Sequence, residues 1–240
     1  MPQAQTSTRN TQPRNAAVFG GDSALGKEIV AALLAQGYQV HQTLRENVQT
    51  SNNLATNANL TTYILDITDT KKLDDVIAKM PQLAFFTNAI AEPPVVNRFE
   101  KIPLAAYESA FRINALSQIE IVQKFHSQQK FAEGCHITFI ISEVVFPSVL
   151  SYCMPYMVSK HALLGFMQGV ALELAPKKIY VNAISPGMMD TQFIANIPSL
   201  IKQQYLVKSK RSTFIKPKDV ANKIIEISQT QEFGINHQFF

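Results

Sequence analysis

Apolar residues occur along this chain in two kinds of segment, short continuous runs and longer stretches with helical spacing. The short runs that predict strands lie at residues 16–19, 38–43, 61–65, 83–87, 136–141, 179–184 and 233–239. The helical intervals lie at residues 24–36, 69–79, 104–131, 155–175 and 217–228. Glycine or proline borders several of these segments, as expected where helices and strands end. The pattern therefore predicts about seven strands with helices between them.

Strands that alternate with helices predict a parallel sheet with right-handed crossovers and helices on both faces. No internal repeat or linker interrupts residues 15–240, so we expect one doubly wound α/β domain there. The least regular segment, 188–215, follows the sixth strand and is a candidate lid. Residues 1–14 are polar and lack acids, which predicts a flexible tail, with an organelle-targeting peptide as the alternative.

Composition narrows the class of protein. With 240 residues and 46% hydrophobic residues the chain can bury a sizeable core, and its net charge of +4 is scattered rather than blocked. That charge suits an anionic ligand and gives no reason to expect a nucleic-acid partner. Cys135 and Cys153 lack metal-ligand spacing, so we expect no metal site and a reducing, cytoplasmic compartment. No apolar run reaches the ~18 residues that span a bilayer, so we expect a soluble protein without a membrane partner.

A glycine-containing turn follows the first predicted strand at residues 20–27 (GGDSALGK). A phosphate bound there would meet backbone N–H groups and the positive end of the next helix. Gly20 and Gly26 would allow a tight turn and close packing of helix against strand. The turn is therefore a candidate dinucleotide site, although taken alone it could be purely structural.

Arg45 follows the second predicted strand, where an acidic residue would accept hydrogen bonds from the ribose of NAD. A guanidinium can instead hold a 2′-phosphate with two hydrogen bonds, and Lys27 or Ser23 could assist. The sequence thus favours NADP over NAD, the alternative being a merely solvated arginine.

Tyr156 and Lys160 are four residues apart in a predicted helix, so their side chains share one face. Reduction of a carbonyl leaves a developing alkoxide that needs a proton, and tyrosine can supply it. A nearby ammonium favours the phenolate, which predicts a lowered pKa for Tyr156. A tyrosine and a lysine at this spacing also occur by chance. The pair is evidence for a catalytic site because it follows the fifth predicted strand.

The ordered set of glycine turn, Tyr156-Met-Val-Ser-Lys160 and Asn182-Ala-Ile-Ser-Pro-Gly187 resembles the short-chain dehydrogenase/reductase family. It is most similar to the 3-oxoacyl-carrier-protein reductase group. The resemblance implies a Rossmann-type domain and an NADP(H)-dependent oxidoreductase that reduces a carbonyl to an alcohol. It makes Tyr156 the acid/base and lets Lys160 also bind the nicotinamide ribose.

The resemblance also implies roles for other residues. Asn114 would hold a proton-relay water, Asp66 and Ile67 would contact the adenine, and Thr191 would lie near the carboxamide or phosphates. The implied cofactor-binding residues are Gly20, Asp22, Ser23, Leu25, Gly26, Arg45, Asp66, Ile67, Asn88, Ala89, Tyr156, Lys160, Pro186, Gly187 and Thr191. Four positions of the cofactor-binding segments depart from the family pattern, with Phe19 in place of threonine, Thr87 in place of asparagine, and Ala24 and Ile90 in place of glycine.

Glu143 stands thirteen residues before Tyr156, where the family places its catalytic serine. Ser142, one residue earlier, is expected to point to the opposite side of an extended chain. An ionised Glu143 would raise the pKa of Tyr156 and repel an alkoxide, whereas a protonated Glu143 could donate a hydrogen bond as serine does. Glu143 is therefore assigned to the catalytic set with an open role.

Three hypotheses follow from that substitution. The first is an active reductase in which protonated Glu143 or a shifted Ser142 replaces the serine. The second is a cofactor-binding but catalytically weak subunit or regulatory partner, and the third is a scaffold that has lost the cofactor. The expected partner is a small carbonyl or alcohol substrate, free or carrier-bound, whose shape the lid and residues 92–99 would select. Family resemblance implies a homodimer or homotetramer built on the helices at 104–131 and 155–175.

Overall fold

The computed structural model of the chain describes residues 14–46, 57–147 and 151–240. Its strands are β1 Asn15–Phe19, β2 Gln39–Leu44, β3 Leu60–Ile64, β4 Leu83–Asn88, β5 Phe131–Ile140, β6 Tyr180–Pro186 and β7 Asn236–Phe239. Its α-helices are α1 Ala24–Ala35, α2 Thr70–Lys79, α3 Leu104–Phe111, α4 Ser117–Ser127, α5 Met154–Leu174, α6 Ser199–Lys208 and α7 Pro217–Ile227. Most boundaries lie within two residues of those that the sequence predicts.

The seven strands form one parallel sheet in the order β3-β2-β1-β4-β5-β6-β7. Two apolar clusters cover its faces. One packs α2, α4 and α5 against the sheet, and the other packs α1 and α7 against the opposite face. Because the central strands are buried on both sides, they carry continuous apolar runs rather than alternating ones. The predicted single α/β domain of Rossmann type is confirmed.

The sequence predicts one continuous helix over 104–131, and this prediction is wrong because the helix is interrupted. The structure has α3, then a π-helical segment Arg112–Leu116, then α4. In that segment the amide of Ser117 donates to the carbonyl of Arg112, and the Ser117 hydroxyl donates to the same oxygen. The spacing of apolar residues does not reveal the extra residue in this turn, because α3 and α4 still bury the same side of the chain. The segment matters for function because it contains Asn114.

The lid, residues 188–215, is more regular than the sequence predicts, since it contains α6. The helix has no side-chain cap at its N-terminus, so its start carries no sequence signal. Its buried residues form a third, small apolar cluster made of Met188, Ile194, Ile197 and Tyr205. Val96 of the loop after β4 packs against this cluster, so the lid contacts the segment expected to share substrate selection with it.

The predicted flexible tail lies outside the described residues except for Arg14. The backbone carbonyl of Arg14 accepts from the Gln39 amide, and its guanidinium lies 4.3 Å from the centre of the Tyr38 ring. The ordered domain therefore includes Arg14, one residue before the predicted boundary. Within 14–46, 57–147 and 151–240, no helix has the length and apolar character needed to cross a membrane.

Candidate active site

The turn between β1 and α1 has the geometry of a phosphate site. Ser23 is the N-cap of α1, where its hydroxyl accepts from the Gly26 amide at 2.9 Å and donates to the Gly20 carbonyl at 2.9 Å. In the part of the chain that the structure describes, the amides of Ala24 and Leu25 have no hydrogen-bond partner. Two N–H groups at the positive end of a twelve-residue helix are thus available to an anion.

The residues of this turn fit a dinucleotide. A Cβ on Gly26 would collide with the Gly20 carbonyl oxygen, so glycine there lets α1 approach β1 closely. Gly20 has φ +79°, a conformation that favours glycine. Ile90, which replaces a family glycine, lies beside Gly20, because a Cβ on Gly20 would be 2.6 Å from its Cγ1. Ile90 thereby narrows this part of the site while leaving the amides of α1 free.

Arg45 lies across the turn from Asp22. Its Nε donates to Asp22 Oδ2 at 3.0 Å; the arginine side chain is 74% exposed and the aspartate side chain only 5%. One nitrogen therefore fixes the guanidinium at the edge of the turn, while most of the group still faces solvent. The sequence predicts neither this ion pair nor the positioning role that it gives Asp22.

A single cavity of about 470 Å³ joins the glycine turn to the Tyr–Lys pair. At one end it is lined by Gly20, Asp22, Ser23, Leu25 and Arg45, and at the other by Tyr156, Lys160, Pro186, Gly187 and Thr191, with Ala89 between. The structure thus brings together most of the residues that the sequence assigns to the cofactor. The described residues contain no cluster of side chains that could hold a metal ion.

Four predicted cofactor residues do not line this cavity. Gly26 lies behind the turn, Asn88 accepts from the Ile90 amide at 2.8 Å, and Ile67 is buried in the core. Asp66 is exposed, and its Oδ1 accepts from the amide and the hydroxyl of Thr68. These hydrogen bonds hold the pKa of Asp66 below its usual range. Asp66 and Asn88 therefore shape the loops that follow β3 and β4.

Tyr156 and Lys160 lie on one face of α5 and line the end of the cavity away from the glycine turn. Lys160 is 2% exposed, its Nζ donates to the Ile140 carbonyl at 2.7 Å, and it lies 5.6 Å from the centre of the Tyr156 ring. Burial lowers the pKa of Lys160 to about 7. The predicted lowering of the Tyr156 pKa is wrong for this structure, because burial raises that pKa and the ammonium contacts the ring and a carbonyl. Tyr156 therefore holds its proton at neutral pH.

Ser142, not Glu143, faces Tyr156. A side-chain hydrogen bond with Ser142 opposes the rise in the Tyr156 pKa, whereas the charge of Glu143 adds to it. The expectation that Ser142 points away fails because the chain is not extended beyond it. Ser142 is the N-cap of a 3₁₀ turn at Glu143–Val145, and its hydroxyl accepts from the Val144 amide at 3.4 Å. Alternation of side chains applies only to a strand, and β5 has ended two residues earlier.

Glu143 points toward the lid instead. Its carboxyl lies in hydrogen-bonding range of the Tyr205 hydroxyl and the Met188 amide. Burial raises the pKa of Glu143 above its usual range, and these two hydrogen bonds and the charge of Arg211 oppose the rise. Its Oε1 is buried and has no hydrogen-bond partner. These surroundings favour a neutral carboxyl group, because an ionised oxygen without a partner is costly to bury.

Asn114 connects the loop after β4 to helix α5. Its Oδ1 accepts from the Glu92 amide at 2.7 Å, and its Nδ2 donates to the Ser159 hydroxyl at 3.1 Å. Ser159 in turn donates to the carbonyl of Tyr156 at 2.8 Å. The Asn114 side chain thus positions the start of α5 and the loop after β4. Its assignment as holder of a relay water remains a prediction.

Sequence reasoning missed the lid residues that cover the site. Met188, Phe193, Ile194 and Ile197 line the cavity, and the Phe193 ring contacts that of Tyr156 edge to face with centroids 5.9 Å apart. Their only signal in the sequence is a concentration of apolar side chains in a segment without a clear period. Tertiary packing is what turns these side chains inward.

A parallel sheet of this strand order, with a glycine turn after its first strand, is that of the dinucleotide-binding α/β proteins. The family described as "Enoyl-(Acyl carrier protein) reductase" matches residues 20–236. The chain therefore belongs to the short-chain dehydrogenase/reductase family of oxidoreductases.

Individual relatives agree with this assignment. The 3-oxoacyl-[acyl-carrier-protein] reductase FabG of Buchnera aphidicola (strain APS) is 26% identical over 230 residues, covering 90% of each chain. NADPH-dependent aldehyde reductase 1 of Arabidopsis thaliana is 26% identical over 79% of this chain and 72% of its own length. Among solved structures, a dehydrogenase/reductase from Sinorhizobium meliloti superposes with TM-score 0.83 at 19% identity, covering 94% of this chain and 93% of that one. A Burkholderia cenocepacia short-chain dehydrogenase in complex with NADP has TM-score 0.79 at 18% identity and covers 95% of this chain and 89% of that one.

Proposed function

We propose that this protein is an NADP(H)-dependent reductase that converts a carbonyl to an alcohol. The observation that carries the proposal is one cavity that is lined by Ser142, Tyr156 and Lys160 and continues to the start of α1 and to Arg45. A tyrosine hydroxyl, whose usual pKa is about 10, is protonated at neutral pH and can serve as the acid that reduction requires.

In this proposal the protein supplies the proton and the bound nicotinamide supplies the hydride. The carbonyl oxygen accepts hydrogen bonds from the Tyr156 and Ser142 hydroxyls, and Tyr156 gives its proton to that oxygen as negative charge develops there. The Ser142 donor stabilises the same charge, a type of contact that contributes about 10²- to 10³-fold in rate. Lys160 holds the nicotinamide ribose, and its ammonium form offsets the charge left on Tyr156.

NADP is the proposed cofactor because Arg45 presents most of its guanidinium to solvent at the end of β2. The 2′-phosphate would bind the nitrogens that Asp22 does not use. The NADP bound in the Burkholderia cenocepacia structure is consistent with this proposal.

Apolar side chains dominate the substrate end of the cavity, including Pro93, Pro94, Val144, Phe193 and Ile197. They favour a carbonyl attached to an apolar group, as in a 3-oxoacyl compound or a small ketone, free or carrier-bound. Between Ser199 and Lys218 the chain carries Lys202, Lys208, Lys210, Arg211, Lys216 and Lys218 and no acid. A basic segment of this kind beside an apolar cavity suits a substrate with an anionic carrier.

We further propose a cytoplasmic homodimer or homotetramer. The apolar residues of α5 that suggested an interface are used within one chain, since Leu163 and Met167 are fully buried and Leu164, Phe166 and Val170 pack against the same core. The exposed side of α5 instead presents Gly165, Gly169 and the 70% exposed Leu172. That surface is the candidate interface.

The test of function is turnover of NADPH on a panel of aldehydes, ketones and 3-oxoacyl thioesters by the wild type and Tyr156→Phe. We expect saturable turnover in the wild type, loss of at least about 10³-fold in kcat in Tyr156→Phe, and unchanged NADPH binding by fluorescence. Tyr107→Phe, a tyrosine of α3 outside the cavity, is the matched control. NADPH binding without turnover would favour the regulatory-partner hypothesis, and absence of binding would favour the scaffold.

A further inference from the structure

Two buried polar side chains lie close together, one on the turn that carries Ser142 and one on the lid. Glu143 and Tyr205 are 5% and 2% exposed, and Tyr205 belongs to an apolar cluster. Glu143 belongs to the 3₁₀ turn after β5, whereas Tyr205 belongs to α6, 62 positions later in the chain. We propose that Glu143 is the anchor of the lid, with a hydrogen bond between its carboxyl group and the Tyr205 hydroxyl that fixes α6 against the turn at Glu143–Val145. Glu143 is thus a positioning residue for the substrate site.

The position of Tyr205 depends on close contacts with the end of β6. Its hydroxyl accepts from the Met188 amide at 2.9 Å, so the hydroxyl lies at the first residue of the lid. A Cβ on Gly187 would be 2.6 Å from the same oxygen, so only glycine leaves room for the tyrosine there. Phe214 stacks on the Tyr205 ring with centroids 6.3 Å apart. Both ends of the lid therefore converge on this tyrosine.

The surroundings of Glu143 suit an anchor better than a charge pair. Its Oε1 lacks a partner, and burial raises the pKa of the carboxyl group, so the neutral form suits this site. The ionisable groups that act on it are Tyr205, Arg211, Cys153 and Tyr156, of which only Arg211 is a cation. A neutral carboxyl can exchange hydrogen bonds with Tyr205 without placing a full negative charge beside the alkoxide that forms near Tyr156.

The contact has a consequence for substrate binding because the lid lines the cavity. Thr191, Phe193, Ile194 and Ile197 all lie between the anchored residue Met188 and α6. Ile194 and Ile197 belong to an apolar cluster of four buried residues that also contains Met188 and Tyr205 itself. Without the hydrogen bonds of Tyr205, this cluster and the backbone hydrogen bonds of Met188 and Asp190 with Ile215 would hold the lid. We expect the lid to open more often when the contact is lost.

The experiment compares Tyr205→Phe, Glu143→Leu, Glu143→Gln and the double variant Glu143→Leu/Tyr205→Phe. Trypsin cleavage after Lys202 and Lys208, both in α6, measures opening of the lid without any need for activity. We expect about 5- to 10-fold faster cleavage in Tyr205→Phe and Glu143→Leu, and a rate near wild type in Glu143→Gln, which keeps the shape and a neutral polar group. The double variant should be no faster than the faster single variant, because both remove the same contact.

Steady-state kinetics provide the second measurement, which rests on the proposed function. Tyr205→Phe should raise KM for the carbonyl substrate about 5- to 10-fold with a smaller change in kcat, since Tyr205 does not touch the reacting atoms. Tyr107→Phe and Glu173→Gln, both away from the lid, are the controls. Unchanged cleavage in Tyr205→Phe, or additive effects in the double variant, would overturn the proposal. If the wild type reduces no carbonyl, the cleavage rates still decide whether the anchor exists.

Discussion

Ser142 and Glu143 are neighbours in the chain but have opposite environments. Ser142 lies beside Tyr156 and opposes the rise in its pKa, whereas Glu143 lies beside Tyr205 of the lid. Counting thirteen residues back from Tyr156 selects Glu143, because the count assumes that every family member has a loop of equal length. If Ser142 is the hydroxyl donor, as we propose, this chain has one more residue between the serine and the tyrosine. The apparent loss of the catalytic serine would then be a shift by one residue.

This shift gives a prediction for Ser142. Ser142→Ala should lower kcat by about 10²- to 10³-fold with little change in NADPH affinity, because it removes a donor to the developing alkoxide. Rates measured with saturating NADPH would show this, with the exposed Ser127→Ala as the control. Glu143→Ser alone should bring no gain in kcat. A large gain in Glu143→Ser together with wild-type rates in Ser142→Ala would return the catalytic role to position 143.

Arg45 gives the second prediction at this scale. Arg45→Ala should weaken NADPH binding by at least about 10-fold and NADH binding by less than about 2-fold, because only NADPH carries the 2′-phosphate that a charge-assisted hydrogen bond would hold. Fluorescence titration with each cofactor measures both affinities. Lys71→Ala, an exposed cation of α2, controls for general electrostatic attraction. Equal losses for the two cofactors would mean that Arg45 does not read the phosphate.

At the scale of elements, the turn before α1 is more tightly constrained than the helices that flank the sheet. Gly26 and Gly165 both lie in helices, but a Cβ would collide with the Gly20 carbonyl at Gly26 and would meet nothing within 4 Å at Gly165. Sequence alone cannot distinguish these two glycines, since helix propensity would assign both the same cost. The difference comes from the contact between α1 and the end of β1.

The corresponding prediction compares Gly26→Ala with Gly165→Ala. Gly26→Ala should lower the free energy of unfolding by about 1–3 kcal/mol and weaken NADPH binding, because the turn must move to admit the methyl group. Gly165→Ala should raise the free energy of unfolding by about 0.5–1 kcal/mol, as alanine does inside a helix. Urea denaturation of both variants measures this. Similar destabilisation by both changes would contradict the packing argument.

At the scale of the whole molecule, the fold buries the ammonium group of Lys160, which lowers the free energy of unfolding. Lys160 is buried, and its pKa of about 7 is well below the usual lysine value of 10.5. Between these two values the unfolded chain binds more protons than the folded one, so the penalty is complete below about pH 7 and declines as the pH rises toward 10.5. In the proposed mechanism this cost is retained because the reaction needs an ammonium group beside Tyr156.

Lys160→Met should therefore raise the free energy of unfolding near pH 7 by about 1–4 kcal/mol while abolishing turnover. The gain over the wild type should shrink as the pH is increased from 7 to 9. Urea denaturation at several pH values measures both effects, and Lys79→Met, on an exposed surface of α2, is the control. A gain that is independent of pH would show that Lys160 is not the titrating group.

The architecture was predictable because it depends on periodicity alone. Residues 83–87 form a short continuous apolar run, and residues 217–228 have apolar residues at helical spacing, so each segment indicates one kind of element. Strands that alternate with helices then allow few topologies. The interruption at Arg112–Leu116 and the helix α6 were not predictable, since the first keeps the apolar spacing of its neighbours and the second has no cap. Residues in the cavity were recognised where they belong to a continuous motif, as at 156–160.

The sequence by itself determined the doubly wound sheet, the glycine turn, Arg45 and the Tyr156–Lys160 pair, because each depends on residues close together in the chain. Only the tertiary structure decided that Ser142 rather than Glu143 faces Tyr156, that Asp22 holds Arg45, and that Glu143 meets Tyr205. These contacts join segments 14 to 62 residues apart or depend on where a strand ends. Burial likewise set the protonation of Tyr156 and Lys160, because the cost of a charge depends on the solvent that the fold excludes.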